Sequence, residues 1–160
     1  MAIISFNGDI GTPSKGFNLK IDVTYSQDIA TNKTTITSAK GYVKRNNSTY
    51  YSYNTTSSAV FTVKNTNGSQ LYSTTKNPKY DLGSNGYKSV LNISPNAEIS
   101  HSADGKKTIV ITFSFDGKLS SYYPNGTISK TVELPTIARK SSVTCADGNI
   151  GSCLLYTSPS

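Results

Sequence analysis

Apolar and polar side chains alternate along most of this chain. FNLKIDVTY sets Phe17, Leu19, Ile21, Val23 and Tyr25 on one face and Asn18, Lys20, Asp22 and Thr24 on the other. That period of two is what a half-buried strand requires. TIVITFSF repeats it more strongly, with Ile109, Ile111, Phe113 and Phe115 set against Thr108, Val110, Thr112 and Ser114. More polar versions run over Thr34 to Arg45, Ala59 to Lys64, Leu71-Tyr72, Tyr87 to Ile93 and Thr127 to Leu134. SQDIATNK reads as a connection, NTNGSQ as a turn, and Thr74 to Gly86 as a surface loop. Asp104-Gly105, Asp116-Gly117 and Asn125-Gly126 read as tight turns, because glycine accepts a positive φ without a Cβ clash. No segment sustains a helical period and no internal repeat is visible. The pattern predicts an all-β protein, an antiparallel β-sandwich of seven to eight strands with a jelly-roll or immunoglobulin-like arrangement.

Pro135 follows the last predicted strand, removes a ladder donor and forces extended chain, so the sandwich is expected to occupy residues 1–137. Residues 138–142 read as a basic, Ser-rich linker and 143–152 as the start of a following domain. The terminal CLLYTSPS, Cys153 to Ser160, is uncharged and unlike the chain before it. Its reverse translation fits one frame of a shotgun-library transposase adapter, so residues 153–160 are expected to be adapter read-through. Cys145 is then the one cysteine remaining, which builds no disulfide framework.

Charge changes the picture more than bulk composition does. Sixteen basic against nine acidic residues give a net charge of +7. The lysines are dispersed, with no run longer than two, whereas a nucleic-acid reader gathers them into a stripe or arm. Scattered lysine keeps sheet surfaces and edges soluble, and no nucleic-acid partner is expected. No stretch nears the roughly 20 apolar residues of a membrane helix, so no membrane insertion is expected either. MAIISFNGDIGTPSKG lacks the charged start and apolar centre of a signal peptide. Seven Asn-X-Ser/Thr triplets, from Asn32 to Asn125, then reflect composition rather than glycan sites. An extracellular-looking β-protein without an export signal suggests a virion component made in the host cytoplasm and released by lysis.

The inventory for catalysis is thin. His101, between Ser100 and Ser102 and three residues before Asp104-Gly105, reads as a turn-flanking histidine bonded to backbone; no nucleophile-elbow motif accompanies it. Asp104, Asp116 and Asp147 each precede glycine and serve turns, and no carboxylate pair stands out as a glycosidase pair. One histidine and one cysteine build no zinc centre, no calcium-loop spacing occurs, and no cofactor is expected. No enzyme activity is predicted. Tyrosine remains, in two groups: Tyr50, Tyr51 and Tyr53, then Tyr122 and Tyr123. Tyrosines on loops stack on sugar faces while their hydroxyls form hydrogen bonds, so these five are the candidate ligand-binding residues. Adjacent tyrosines on a strand point to opposite faces, so at most one of Tyr50 and Tyr51 is core.

Three stretches resemble a known family. They are SQDIATNKTTIT, HSADGKKTIVITFSF and ELPTIARKSSVTCADGNIG. Together they are similar to the β-rich N-terminal phage domain, of unknown function, in minor structural proteins of siphophage tail tips from Gram-positive, streptococcal-type hosts. Ala138 and Lys140 stand where that family usually has Pro and Ala in its Leu-Pro-Thr-Ile-Pro-Arg-Ala-Ser-Ser element. The resemblance implies a non-enzymatic virion domain of the tail tip or baseplate contributing to host-surface attachment. Its partners would be other phage tail proteins and host cell-wall polysaccharide, with room for a homo-oligomer. A carbohydrate-binding accessory module of a cell-wall hydrolase is the alternative. A bacterial adhesin domain would need the signal peptide the start lacks.

Overall fold

The computed structural model describes residues 2–11, 16–46, 55–80, 86–117, 125–140 and 157–158. In chain order the strands are β1 (Ala2–Ile10), β2 (Phe17–Asp28), β3 (Lys33–Arg45), β4 (Thr55–Thr56), β5 (Ser58–Asn65), β6 (Gln70–Lys76), β7 (Lys79–Tyr80), β8 (Lys88–Ile93), β9 (Ala97–Ser100), β10 (Lys107–Asp116), β11 (Asn125–Leu134), β12 (Arg139–Lys140) and β13 (Thr157–Ser158). No helix occurs among the described residues. The fold is an antiparallel β-sandwich. One sheet runs β1-β2-β3-β8, with β9 also on β3, and the other runs β11-β10-β5-β6. Two short ribbons, β4 with β7 and β12 with β13, lie outside these sheets.

The strongest alternations form the buried walls. On β2, Phe17, Leu19, Ile21, Val23 and Tyr25 all face the core, and on β10 Ile109, Ile111, Phe113 and Phe115 are at most 1% exposed. Phe17 meets Phe115 across the sandwich with ring centroids 6.2 Å apart. Phe113 packs over Gly41, where an added Cβ would lie 2.6 Å from its Cζ. A bare α-carbon at this point of β3 lets the two sheets close.

Nine strands make the two sheets where the alternation counts seven or eight. The additional segments are β1 and β9. In β1, Ala2, Ile4, Phe6, Gly8 and Ile10 turn inward and the residues between them outward. Segments β8 and β9 lie along the same side of β3, Lys88 to Ile93 beside Val43 to Ala39 and Ala97 to Ser100 beside Ile36 to Lys33. The break between them holds Pro95, which cannot donate to a ladder, and Asn96, whose φ is 49°. A bulge at Val90 lets both Val90 and Leu91 reach the core.

Three predicted local features differ in the structure. β2 continues through Ser26, Gln27 and Asp28, shortening the connection to Ile29–Asn32, with Asn32 at φ 56°. The predicted loop from Thr74 begins as strand, because Thr74 and Thr75 pair with Phe61 and Val60. Asn125-Gly126 is not a turn: both residues begin β11, opposite Asp116 and Phe115. Glycine at 126 serves close approach rather than positive φ, since an added Cβ would lie 2.7 Å from Ile10 Cγ2.

Candidate functional site

Tyr50, Tyr51, Tyr53, Tyr122 and Tyr123 lie outside the described residues. Ser58, Asp116 and Asn125 stand in one row across β5, β10 and β11. A shallow depression of about 210 Å³ sits there, lined by Ser58, Val60, Ser114, Asp116, Asn125 and Thr127 among others. Ser114 and Thr127 share a hydroxyl–hydroxyl bond of 2.7 Å across it.

His101 is 7% exposed and tied on both ring nitrogens. Nδ1 lies 2.7 Å from the Gly105 carbonyl, which only accepts, so Nδ1 carries a proton. Nε2 lies 2.6 Å from the Thr34 hydroxyl. Gln27 donates to that same hydroxyl at 3.2 Å and to the Pro135 carbonyl at 2.8 Å. Thr34 thus links the Gln27 amide to the His101 ring. Around the ring, Asn32 donates to the His101 and Ser102 carbonyls, and the Ile137 amide donates to Gly105 O at 2.9 Å. Gly105 has φ 83°, as its turn requires. The predicted backbone-bonded histidine is thus found, with a buried threonine added. Thr34 is fully buried, so this pair offers no accessible nucleophile.

The outer face of the first sheet carries a different chemistry. Cross-strand register sets Asp9, Asn18 and Lys44 in one row, Asn7, Lys20, Tyr42 and Ser89 in the next, and Ser5, Asp22, Lys40 and Asn92 in a third. Tyr87, one residue before β8, meets Tyr42 edge-on with centroids 6.4 Å apart. Its hydroxyl donates to Asn18 Oδ1 at 2.5 Å. The Lys20 ammonium sits 5.8 Å from the Tyr42 centroid and 5.5 Å from that of Tyr87, and Lys44 sits 5.0 Å from Tyr87. Cation–π attraction acts at these distances. Asp9 accepts from Asn18 at 2.8 Å and from Asn46 at 3.0 Å. Those two bonds, Asn18 first, hold its carboxyl below the ordinary aspartate range against a small opposing effect of burial, and the Lys44 charge adds to them. Ser5 donates to Asp22 at 2.6 Å.

Sequence reasoning put Lys20 and Asp22 on the polar face of β2 but did not single out Tyr42 or Tyr87. No local signal joins them, because they meet only through the pairing of β3 with β8. Among the described residues no group of three or more His, Cys, Asp or Glu is placed to hold a metal, and no helix is long and apolar enough to cross a membrane.

Residues 10–156 match the family described as Siphovirus protein of unknown function (DUF859). The chain belongs to this bacteriophage family. No curated protein matches it significantly. Among solved structures, the chain is similar to the Streptococcus agalactiae AgI/II polypeptide BspA variable (V) domain at 12% identity, over 92% of this chain and 85% of that one. The TM-score is 0.24, too low for that likeness to carry an argument. Within the siphovirus protein, parts of SQDIATNKTTIT, HSADGKKTIVITFSF and ELPTIARKSSVTCADGNIG meet around His101. Gln27, Asn32 and Thr34 come from the first, His101 to Lys107 from the second, and Pro135 and Ile137 from the third.

Proposed function

We propose that this siphovirus protein is a non-enzymatic domain of the virion, located at the tail tip or baseplate and contributing to attachment to the host surface. Family membership across residues 10–156 carries the reading. The sandwich supports it, offering two broad polar sheet faces on a rigid core and, in the His101 cluster, a histidine used to hold chain segments together. Its partners are other tail proteins and host cell-wall polysaccharide, with self-association a further part of the reading. Tyr50, Tyr51, Tyr53, Tyr122 and Tyr123 are proposed to stack on sugar rings.

Immunogold labelling of purified virions with antibody to this chain tests the location. Label at the tail tip is expected; virions without the protein would overturn the reading. Binding of the fluorescently labelled chain to Gram-positive host walls tests attachment. Saturable binding that is lost when the walls are stripped of polysaccharide is expected. Absence of binding to every wall tested would remove the attachment role.

A further inference from the structure

The two outward sheet faces are chemically unlike. That of the second sheet presents Val60, Thr62, Val110, Thr112, Ser129 and Thr131, with Lys64 opposite Val110 and Glu133 opposite Thr108, and no aromatic ring among its described residues. That of the first gathers two tyrosine rings, three lysines, two carboxylates and several amides into three adjacent rows. Tyr87 is 39% exposed, one of few large apolar groups left so. Its ring is held edge-on by Tyr42 and its hydroxyl by Asn18. A ring fixed before binding loses little conformational entropy when a ligand stacks on it.

We infer that the corner formed by Tyr42, Tyr87, Lys20, Lys44, Asn18 and Asp9 is a binding site for an anionic, hydroxyl-rich saccharide. The inference rests on the attachment reading and names a contact surface and ligand class for it. The Tyr87 ring offers an apolar face to the C–H side of a sugar. Asp9, whose Oδ1 accepts from Asn18 and Asn46, offers its second carboxylate oxygen as an acceptor to a sugar hydroxyl beside the ring. The Lys20 and Lys44 ammonium groups, set by the rings, meet a carboxylate or phosphate substituent. Charge complementarity points the same way, because the chain carries +7 overall and lysines 20, 40 and 44 occupy three successive rows. Single-stranded nucleic acid would also use tyrosine and lysine. A groove that follows a phosphate backbone, however, is continuously positive, and here Asp9 and Asp22 interrupt the lysines in neighbouring rows.

The test measures binding of the intact chain to purified Gram-positive host walls, before and after removal of phosphodiester-linked polysaccharide. It compares wild type with Tyr87→Ala, Tyr87→Phe, Lys20→Ala/Lys44→Ala and Tyr51→Ala/Tyr123→Ala. Tyr87→Ala and the double lysine variant are expected to bind about tenfold more weakly or worse. Their unfolding midpoints should be unchanged, Tyr87→Phe should be largely restored, and stripped walls should no longer bind. Wild-type affinity in Tyr87→Ala and the lysine variant, with loss only in Tyr51→Ala/Tyr123→Ala, would overturn this site and leave the attachment reading standing. Wild-type affinity in every variant would overturn it as well. Competition by a single-stranded oligonucleotide at lower concentration than soluble wall polysaccharide would overturn the ligand class. Failure of the wild type to bind any wall would overturn the attachment reading itself.

Discussion

His101 shows what one buried polar residue contributes to this fold. Its ring closes a chain of bonds from Gln27 through Thr34 to Gly105, and Gly105 in turn holds the Ile137 amide. His101→Ala would remove one of two hydrogen bonds at the buried Thr34 hydroxyl, one of two at Gly105 O and the buried ring itself, at a cost of about 2–4 kcal/mol. Urea denaturation measures that loss, and the Ile137 amide should exchange with solvent faster in the same variant. Asp9 works at the surface, and its effect follows pH. Its carboxyl titrates lower in the folded chain than in the unfolded one, so the stability it contributes is complete above about pH 4 and is lost as pH falls through the folded value. Asp9→Asn should therefore be less stable than wild type near neutrality, the gap closing in acid. Thermal unfolding across that range checks it; a gap that widened in acid would refute the assignment. The histidine's backbone bond was legible, because a His four residues before the glycine of an Asp-Gly turn is placed to reach its carbonyl. Thr34 was not, because it comes from a hairpin 67 residues away.

Among the elements, β1 and β11 decide whether the sandwich closes along one side. They belong to different sheets and meet through two glycines. An added Cβ at Gly8 would lie 2.9 Å from Ile128 Cγ2, and one at Gly126 would lie 2.7 Å from Ile10 Cγ2. Each glycine makes room for an isoleucine of the other strand. Gly126→Ala should cost about 1–3 kcal/mol by forcing these edges apart. Ile10→Ala removes the Cγ2 that lies 2.7 Å away and leaves only the Cβ at 2.9 Å, so in a double-mutant cycle the two changes should cost less together than their sum. Strict additivity would show that the strands do not meet this way. The alternation of β1 can be read in AIISFNGDI, but a short N-terminal run does not say which edge it will cover. Gly126 was misread for a related reason. Glycine marks positive φ and close approach alike, and only the position of Ile10 tells them apart.

For the whole molecule, topology sets the folding rate. β3 must find β8 and β9, and β5 must find β10, pairing Lys40 with Asn92 and Val63 with Ile111. Loops of this length are closed before their contacts can contribute, so folding is expected on the millisecond-to-second scale of all-β domains. The chain has no tryptophan, so stopped-flow tyrosine fluorescence is the measurement. Complete refolding within microseconds would contradict the topology.

The class of fold, the inward faces of β2 and β10 and the turn at Asp104-Gly105 are written locally, in a period of two and in glycine chemistry. A local pattern says which way each side chain points and nothing about which strand lies beside it. Pairing is a contest among distant segments, and only the folded chain resolves it. That contest put β8 and β9 in line along one side of β3, brought Gln27, His101 and Pro135 to one end, and set Tyr42 and Tyr87 between two lysines on one sheet face. The strands belong to the sequence; the surface they compose belongs to the tertiary structure.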